Sequence, residues 1–570
     1  MSEVFFGGRQ ITTPGVYSAL DESRMSNPNL SVGNVAALVG RAIGIEPFKA
    51  HRFGGADEAR KVISDDITLK AIERAFDPSS ETTGPSVLVF IAVNPSTQAT
   101  AVVNDAAGNA AINLKATKYG RPGNQVKYKI EPASVEGKKL TTQLGNDYYS
   151  LDNVARNAMS VRYTGAEAAA TITVADAVVT LAAGDATAEL DLRDYLTVQE
   201  LVDRINSTAG FNAVVLDGNS EKPTLQALDA KPATSCKNVD VVVTAHLQAC
   251  VDWFNSTGEG FITAERAAGA GAPPANTPFA YLSGASDGEV TNAEWQKAFD
   301  VLQQEDVQWV APLSPLAAIR SMCDTHCAFM SNSTKMMRRS YTGGGTGMTD
   351  AEAVEAAKSL NSDRTSFAHL GVYDFNQKGV LTLYPAYVAA AAMAGMSSGV
   401  SPGTSLTNKT MKFQGVERKL RIPTDTDFLL KGGVVPLADT PEGYKVIQSI
   451  TTWRANRNFN RCEQGTGAGL DFTRRNVQEA VDGVVGQKGS PRWMIEAYNR
   501  AEAALKALAV PEPLGPGVLV GDAENPPYRA LKVSLVADAI QISYEANVAL
   551  TINYVLQTVS PTVFNSSVGG

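Results

Sequence analysis

Thr291-Asn-Ala-Glu-Trp-Gln-Lys-Ala-Phe-Asp-Val-Leu302, followed shortly by Val307-Gln-Trp-Val-Ala311, sets the class of the fold. Thr291 and Glu294 stand at capping-box spacing, and Trp295, Ala298, Phe299 and Leu302 recur on one helical face. Val307 to Ala311 then reads as a short buried strand. The same alternation continues on both sides. Upstream, Val35-Ala-Ala-Leu-Val39 and Ser86-Val-Leu-Val-Phe-Ile-Ala-Val93 are buried strands, separated by helical spacing over Ala56 to Ile63 and through Leu69, Ile72 and Phe76. Downstream, the spacing predicts a helix from about Leu316 to Met330, and another around Ala351 to Leu360 behind Thr349-x-x-Glu352. A strand at Val380 to Tyr384 and a buried Ala-rich helix at Ala386–Met396 come next. Strands alternating with helices of this length build a mostly parallel sheet covered on both faces.

Two stretches break that pattern. From Ala99 to about Asp217 the segments are strand-like: Ile112 to Ala116, the alternating Val126, Tyr128 and Ile130, then Val161 to Tyr163, Thr171 to Val174 and Val178 to Leu181. This reads as an inserted β-rich domain, a sandwich, with one helix carrying Val198, Leu201, Val202 and Ile205 behind Thr197-x-x-Glu200. Before Gly33, Pro14-Gly15 and Asn27-Pro28 interrupt any periodicity and predict an extended arm. The fold class expected is therefore an α/β core with an inserted β-sandwich domain, multidomain, with extended N- and C-terminal β arms. The boundaries are an arm over 1–32, the core over 33–98 and 218–405, the insertion over 99–217, a carboxy-terminal α+β domain over 406–522 and a strand arm over 523–570.

The arm at the far end has a definite chemistry. From Ala546 to Gly570 there is no charged residue, and Val548, Leu550, Ile552, Tyr554 and Leu556 alternate as a strand does. A lone apolar strand needs a partner for its ladder and its face, which is the requirement for strand addition between subunits. The domain before it is basic, with Arg454, Arg457, Arg461, Arg474 and Arg475, and ends in a helix from Trp493 to Leu508.

Composition narrows the function. Lys and Arg number 50 against 59 Asp and Glu, a net charge of −9 over 570 residues, which disfavours a nucleic-acid partner. Five scattered cysteines read as reduced thiols. Met1 to Arg9 has no basic region leading to an apolar one, so no secretory signal is read there. The uncharged window Gly379 to Asn408 is broken by Pro385, Pro402 and many Ser and Gly, so no membrane insertion is expected.

Catalytic motifs are incomplete. Gly403-Thr404-Ser405 resembles the segment around the nucleophile of subtilisin-like proteases, but none of His51, His246, His326 and His369 sits in a segment that fixes a base with a carboxylate. Ser405 reads as a loop serine and the chain as no enzyme. Cys323-x-x-His326-Cys327 is a weak metal signal, and a helix with inward thiols and His326 at a polar edge is the plainer reading, so neither metal nor cofactor is expected. Tyr341-Thr-Gly-Gly-Gly-Thr-Gly347 lacks the Lys and Ser/Thr of a phosphate loop and reads as a surface loop away from any strand-to-helix junction. Arg338-Arg339 and the later Arg cluster bind phosphate, stay solvated or meet an acidic protein surface, the last favoured in an acidic chain.

Several segments together resemble the contractile tail sheath family of bacteriophages and related injection machines. Pro14-Gly15-Val16-Tyr17 is similar to its amino-terminal arm, and Phe53-Gly-Gly-Ala-Asp-Glu-Ala59 through Ala75-Phe76-Asp77-Pro78 to the family segment next after that arm. Lys118-Tyr-Gly-Arg-Pro-Gly-Asn124 and Val161-Arg-Tyr-Thr-Gly165 resemble its β insertion. Leu282-Ser-Gly-Ala-Ser-Asp-Gly-Glu-Val-Thr291, leading to Trp295 and Asp306-Val307, resembles its subtilisin-like central domain. Ser405-Leu-Thr-Asn-Lys409 and Ser449-Ile-Thr-Thr-Trp453 fit its carboxy-terminal part.

The resemblance implies a structural subunit that forms hexameric rings, stacked helically around a tail tube, and shortens to drive the tube through a host envelope. Its partners are then further copies of itself, the tube protein, and baseplate and terminator proteins. Its place is the virion tail, after assembly in the host cytoplasm. The arms carrying Val16 and Tyr17, and Val548 to Leu556, interlock subunits, while Arg454, Arg457, Arg461, Arg474 and Arg475 are candidates to face the tube. A subtilisin-like serine hydrolase and another self-assembling shell subunit remain as alternatives.

Overall fold

The computed structural model describes residues 4–6, 9–11, 35–256, 260–269 and 271–564. A six-stranded sheet forms the core, in the order Thr365–Ala368, Arg339–Gly343, Trp309–Pro312, Val35–Gly40, Val87–Ala92 and Ala50–Phe53. Successive neighbours are parallel except for the antiparallel edge strand Ala50–Phe53. Alternate residues divide between two apolar layers, as a sheet buried on both sides requires. Ala36, Leu38, Leu88, Phe90 and Trp309 pack under the helices Asp66–Phe76 and Ala386–Gly399. Ala37, Val39, Val89, Ile91 and Val310 pack under Asn292–Leu302 and Ala317–Ser333.

Local chemistry explains these helices. Thr291 with Glu294 and Thr349 with Glu352 form reciprocal capping boxes, each cap contributing about 1 kcal/mol. At Thr197 only half the box closes: the hydroxyl caps Glu200 N at 3.3 Å, while the Glu200 carboxylate reaches Leu196 N instead. The 386–399 helix is apolar all round and almost entirely buried, as a core helix must be. Gly395 lets it lie against the 66–76 helix so closely that a Cβ there would sit 2.0 Å from Ala75 O.

The inserted region is longer and more divided than the sequence reading. The core resumes at the 292–302 helix and not after Asp217, because three later strands pair back into the insertion. Val241–Thr244 joins Asn157–Tyr163, Ile262–Arg266 joins Ala110–Tyr119, and Thr277–Tyr281 joins Lys127–Pro132. No single sandwich spans the described residues of this region. One core gathers residues of 99–154 and 247–282, and a second, nested between them in sequence, gathers residues of 158–245.

At the carboxy-terminal end the helices Gln464–Val481 and Pro491–Leu508 pack with a hairpin, Tyr528–Val536 and Ala539–Ala546, around Val477, Ala501, Leu505, Leu508 and Leu519. The hairpin occupies part of the expected strand arm over 523–570. The strand predicted from Val548 to Leu556 does not form within the chain. Val548 makes one bridge to Leu519, Ala549 N donates to Val518 O at 2.9 Å, and 550–564 belong to no strand. Among the described residues no strand pairs with the tail, so its alternation goes unused. At the amino-terminal end Val4–Phe6 and Arg9–Ile11 pair as a hairpin, while Val16 and Tyr17 lie outside the described residues.

Candidate functional site

The motifs with catalytic or ligand-binding potential are taken up by the fold. Ser405 Oγ shares a hydrogen bond with Thr407 Oγ1 at 2.8 Å. The four imidazoles are engaged elsewhere: His51 with Glu46 O, His246 with Arg156 N, His326 with Arg338 and His369 with Asp350. Ser405 thus has no base. Cys323 and Cys327 are fully buried in the apolar layer beside Phe299. His326 is buried as well, not at a polar edge, and its Nε2 accepts from Arg338 Nη1 at 2.9 Å. Burial and the Arg338 charge push the His326 pKa down to about 3. Among the described residues no group of three or more His, Cys, Asp or Glu is arranged to hold a metal ion.

The glycine-rich segment reaches the surface only at its end, where Thr346 and Gly347 are exposed, and it does join a strand to a helix. Tyr341–Gly343 end a buried core strand, and the 350–360 helix starts a few residues on. Gly343 is needed because a Cβ there would lie 2.2 Å from Tyr387 N. A strand–glycine loop–helix junction is where a phosphate would bind, yet several of its N–H donors are already used. Gly347 N donates to Glu417 Oε1, and the helix start is capped by Thr349 with Glu352. The chain's own carboxylates fill the anion site.

The arginines divide by environment. Arg475 is buried and paired with Asp306 and Glu479, with Nη1 2.8 Å from Asp306 Oδ1, so it is no free surface cation. Arg474 is half-buried, 3.8 Å from Asp471. Arg454 donates Nη2 to Leu430 O at 3.0 Å, and burial lowers its pKa. Arg461 lies 4.7 Å over the Trp453 ring and 3.7 Å from Asp363. Arg457 is exposed, on the same open turn as exposed Phe459. Intramolecular pairing therefore claims Arg475, while exposed Arg457, Phe459 and Arg461, with half-buried Trp453 under Arg461, form an aromatic–basic surface.

Arg338 and Arg339, expected to bind phosphate, stay solvated or face another protein, are interior residues. Arg338 donates to Leu302 O and Glu305 O. Arg339 Nε and Arg364 Nη1 both donate to Asp471 Oδ2 at 2.8 Å, and Gln464 Oε1 accepts from Arg339 Nη1 at 2.8 Å. Burial works against the ionised Asp471, but the two guanidiniums more than offset it and hold its pKa below the usual value. This network ties the core sheet to the 464–481 helix. No sequence motif marks Asp471, and only Gly467, one helical turn before it, where a Cβ would sit 2.1 Å from Arg339 Nη2, signals close approach.

The other outward feature is the tail. Leu550 is 55% exposed, Ile552 81%, Tyr554 78% and Leu556 93%, a run of apolar side chains that an isolated soluble chain does not bury. Asn553 Nδ2, donating to Glu463 Oε1 at 2.9 Å, ties it back.

No protein-family model matches the chain. It is similar end to end to the tail sheath protein of Bacillus phage SP01, 26% identical over 574 residues, covering 97% of this chain and 96% of that one. Its fold is similar to those of two solved sheath tail proteins. The one from Listeria innocua has a TM-score of 0.54 at 12% identity, over 90% of this chain and 92% of that one. The one from Desulfitobacterium hafniense has a TM-score of 0.52 at 13% identity, over 94% and 100%. A second curated relative, from Staphylococcus phage Twort, is likewise named a tail sheath protein, 21% identical over 520 residues, covering 83% of this chain and 85% of that one. The chain is thus similar along almost its whole length to a phage tail sheath protein, and its fold is that of the solved sheath tail proteins.

Proposed function

We propose that the chain is the repeating subunit of a contractile sheath, polymerised as stacked hexameric rings around a tail tube in the virion. The observation that carries this is the match to a phage tail sheath protein over 97% of the chain, which leaves little room for an added catalytic domain. The exposed, uncharged tail supports the mode of assembly. Residues 550–564, with the amino-terminal arm around Val16 and Tyr17, complete sheets in neighbouring subunits, so rings stay linked while rigid bodies slide. Assembly takes place in the host cytoplasm, with baseplate and terminator proteins at the two ends.

The tube contact falls to the aromatic–basic surface of Trp453, Arg457 and Arg461, assisted by Arg454 and Arg474, and not to Arg475. The insertion projects outward, where it moves without obstructing the tube. Shortening draws on a metastable lattice and not on a nucleotide, since the glycine-rich strand-to-helix loop lacks the Lys and Ser/Thr of a phosphate loop and gives Gly347 N to Glu417 and its helix cap to the Thr349–Glu352 box. Assembled sheaths exposed to mild denaturant or acid, with no nucleotide present, should shorten under the electron microscope. Sheaths that shorten only on addition of ATP would overturn the reading.

A further inference from the structure

The insertion carries a sheet face that none of the described residues covers. Its strands run in the order Asp147–Val154, Lys138–Leu144, Lys127–Pro132 and Thr277–Tyr281. The inner face, with Tyr128, Ile130 and Leu140, is core. Directly paired residues on the outer face make one row across all four strands: Tyr148 opposite Gln143, Gln143 opposite Lys127, Lys127 opposite Tyr281. At the usual strand separation the two tyrosines stand about 14 Å apart. Tyr148 is 67% exposed, Tyr281 58% and Phe279, beside it, 47%. Behind this row Ser150 Oγ and Thr141 Oγ1 share a hydrogen bond at 2.8 Å.

The charges on this face are unequal. Lys129 is paired with Glu131 at 2.7 Å, and Lys139 lies near the carboxylate of Asp152. Lys127 has no carboxylate partner among the described residues. Its ammonium sits 5.1 Å from the Phe279 ring centroid and 5.9 Å from that of Tyr281. In a chain of net charge −9 this is an uncompensated cation, held against the Phe279 and Tyr281 rings, with exposed Tyr148 two strands away across Gln143.

We propose that this face binds an extended acidic polysaccharide, with sugar rings stacked on Tyr148 and on Tyr281 with Phe279, and a carboxylate of the intervening sugars on Lys127. The row matches that chemistry group by group. Flat aromatic faces take the C–H faces of pyranose rings, the amide of Gln143 and the Thr141 and Ser150 hydroxyls take sugar hydroxyls, and the cation takes the acid. A protein partner fits less well, because protein interfaces deplete lysine at their centre and this face places one there.

The test is native electrophoresis of the intact chain in gels cast with hyaluronate, a polymer with alternating uronate residues, beside gels cast with uncharged dextran. Hyaluronate should retard the chain, and dextran should do so far less. Tyr148→Ala and Tyr281→Ala should each weaken the retardation at least fivefold. Lys127→Gln should weaken it and flatten its salt dependence, while Lys127→Arg preserves it. All three side chains are on the surface, so circular dichroism should be unchanged. No retardation by hyaluronate, or retardation indifferent to these substitutions, would overturn the proposal. So would a dimer in sedimentation velocity that the tyrosine variants dissolve, since the face would then be a self-interface.

Discussion

Arg339 on the core sheet and Asp471 on the 464–481 helix meet at 2.8 Å in the interior, 132 residues apart in sequence. Arg364, immediately before the edge strand Thr365–Ala368, donates to the same carboxylate. The carboxy-terminal domain is thereby fixed to the core by a fully desolvated charge cluster, and not by apolar packing alone.

That arrangement makes Asp471 expensive to remove. Asp471→Asn leaves two buried guanidiniums facing a neutral group, so a stability loss of about 3–5 kcal/mol is expected. Equilibrium unfolding in urea should show it as a lowered midpoint. A loss below about 1 kcal/mol would mean the cluster is solvated.

His326 sets an acid sensitivity. Its folded pKa is about 3, below the ordinary 6.5, because burial and Arg338 disfavour the imidazolium. Between those values the unfolded chain binds a proton that the folded chain does not. The contribution of His326 is therefore unchanged above pH 6.5, and stability falls as pH drops from there toward 3, by about 1.4 kcal/mol per unit at most. His326→Gln should flatten the slope of melting temperature against pH in this window. An unchanged slope would place the sensitivity elsewhere.

Gly343 should tolerate no side chain. A methyl group there meets Tyr387 N and Cα at 2.2 and 2.3 Å, both backbone atoms that cannot rotate away. Gly343→Ala should destabilise by about 1–3 kcal/mol or more, while Gly347→Ala, with nothing within 4 Å but a φ of +77°, should cost less, about 1 kcal/mol. Thermal melts of the two variants give the comparison.

Periodicity makes the core legible, and pairing partners hide the rest. The 292–302 helix, the strand at Trp309 and the all-buried 386–399 helix follow from local apolar spacing and caps. Strand partners leave no such local mark, so Val241–Thr244, Ile262–Arg266 and Thr277–Tyr281 fall to the core by sequence position and to the insertion by their ladders. The hairpin 528–546 does carry a signal, since Ile540, Ile542 and Tyr544 alternate with Gln541, Ser543 and Glu545. Its charged residues set it apart from the uncharged tail, although both lie in the expected arm. For the arginines, composition is legible and distant partners are not: Glu479 stands at i,i+4 helical spacing from Arg475, but Asp306 claims it across a contact that the local sequence does not mark.

On the surface proposed to face the tube, charge reversal should separate exposed from structural arginines. Arg457→Glu with Arg461→Glu should weaken co-assembly with the tail tube at low salt and leave empty sheath-like tubes intact. Arg475→Glu should instead lower monomer stability, because it places a third acid beside Asp306 and Glu479. Pelleting assays across salt concentrations, paired with melting curves, distinguish the two.

The tail should matter chiefly to assembly. Truncation after Ala549 keeps the Leu519–Val548 bridge and the hairpin and loses only the Asn553–Glu463 hydrogen bond, about 1 kcal/mol, so the melting temperature should fall only slightly. Subunits lacking 550–570 should form no tubes. Normal tubes from the truncated chain would remove the tail from the linkage.

Negative-stain electron microscopy of the purified full-length chain, concentrated until it assembles, tests the sheath assignment most directly. Hollow tubes with a regular helical repeat are expected. Closed shells, flat lattices or particles that remain monomeric at every concentration would contradict it.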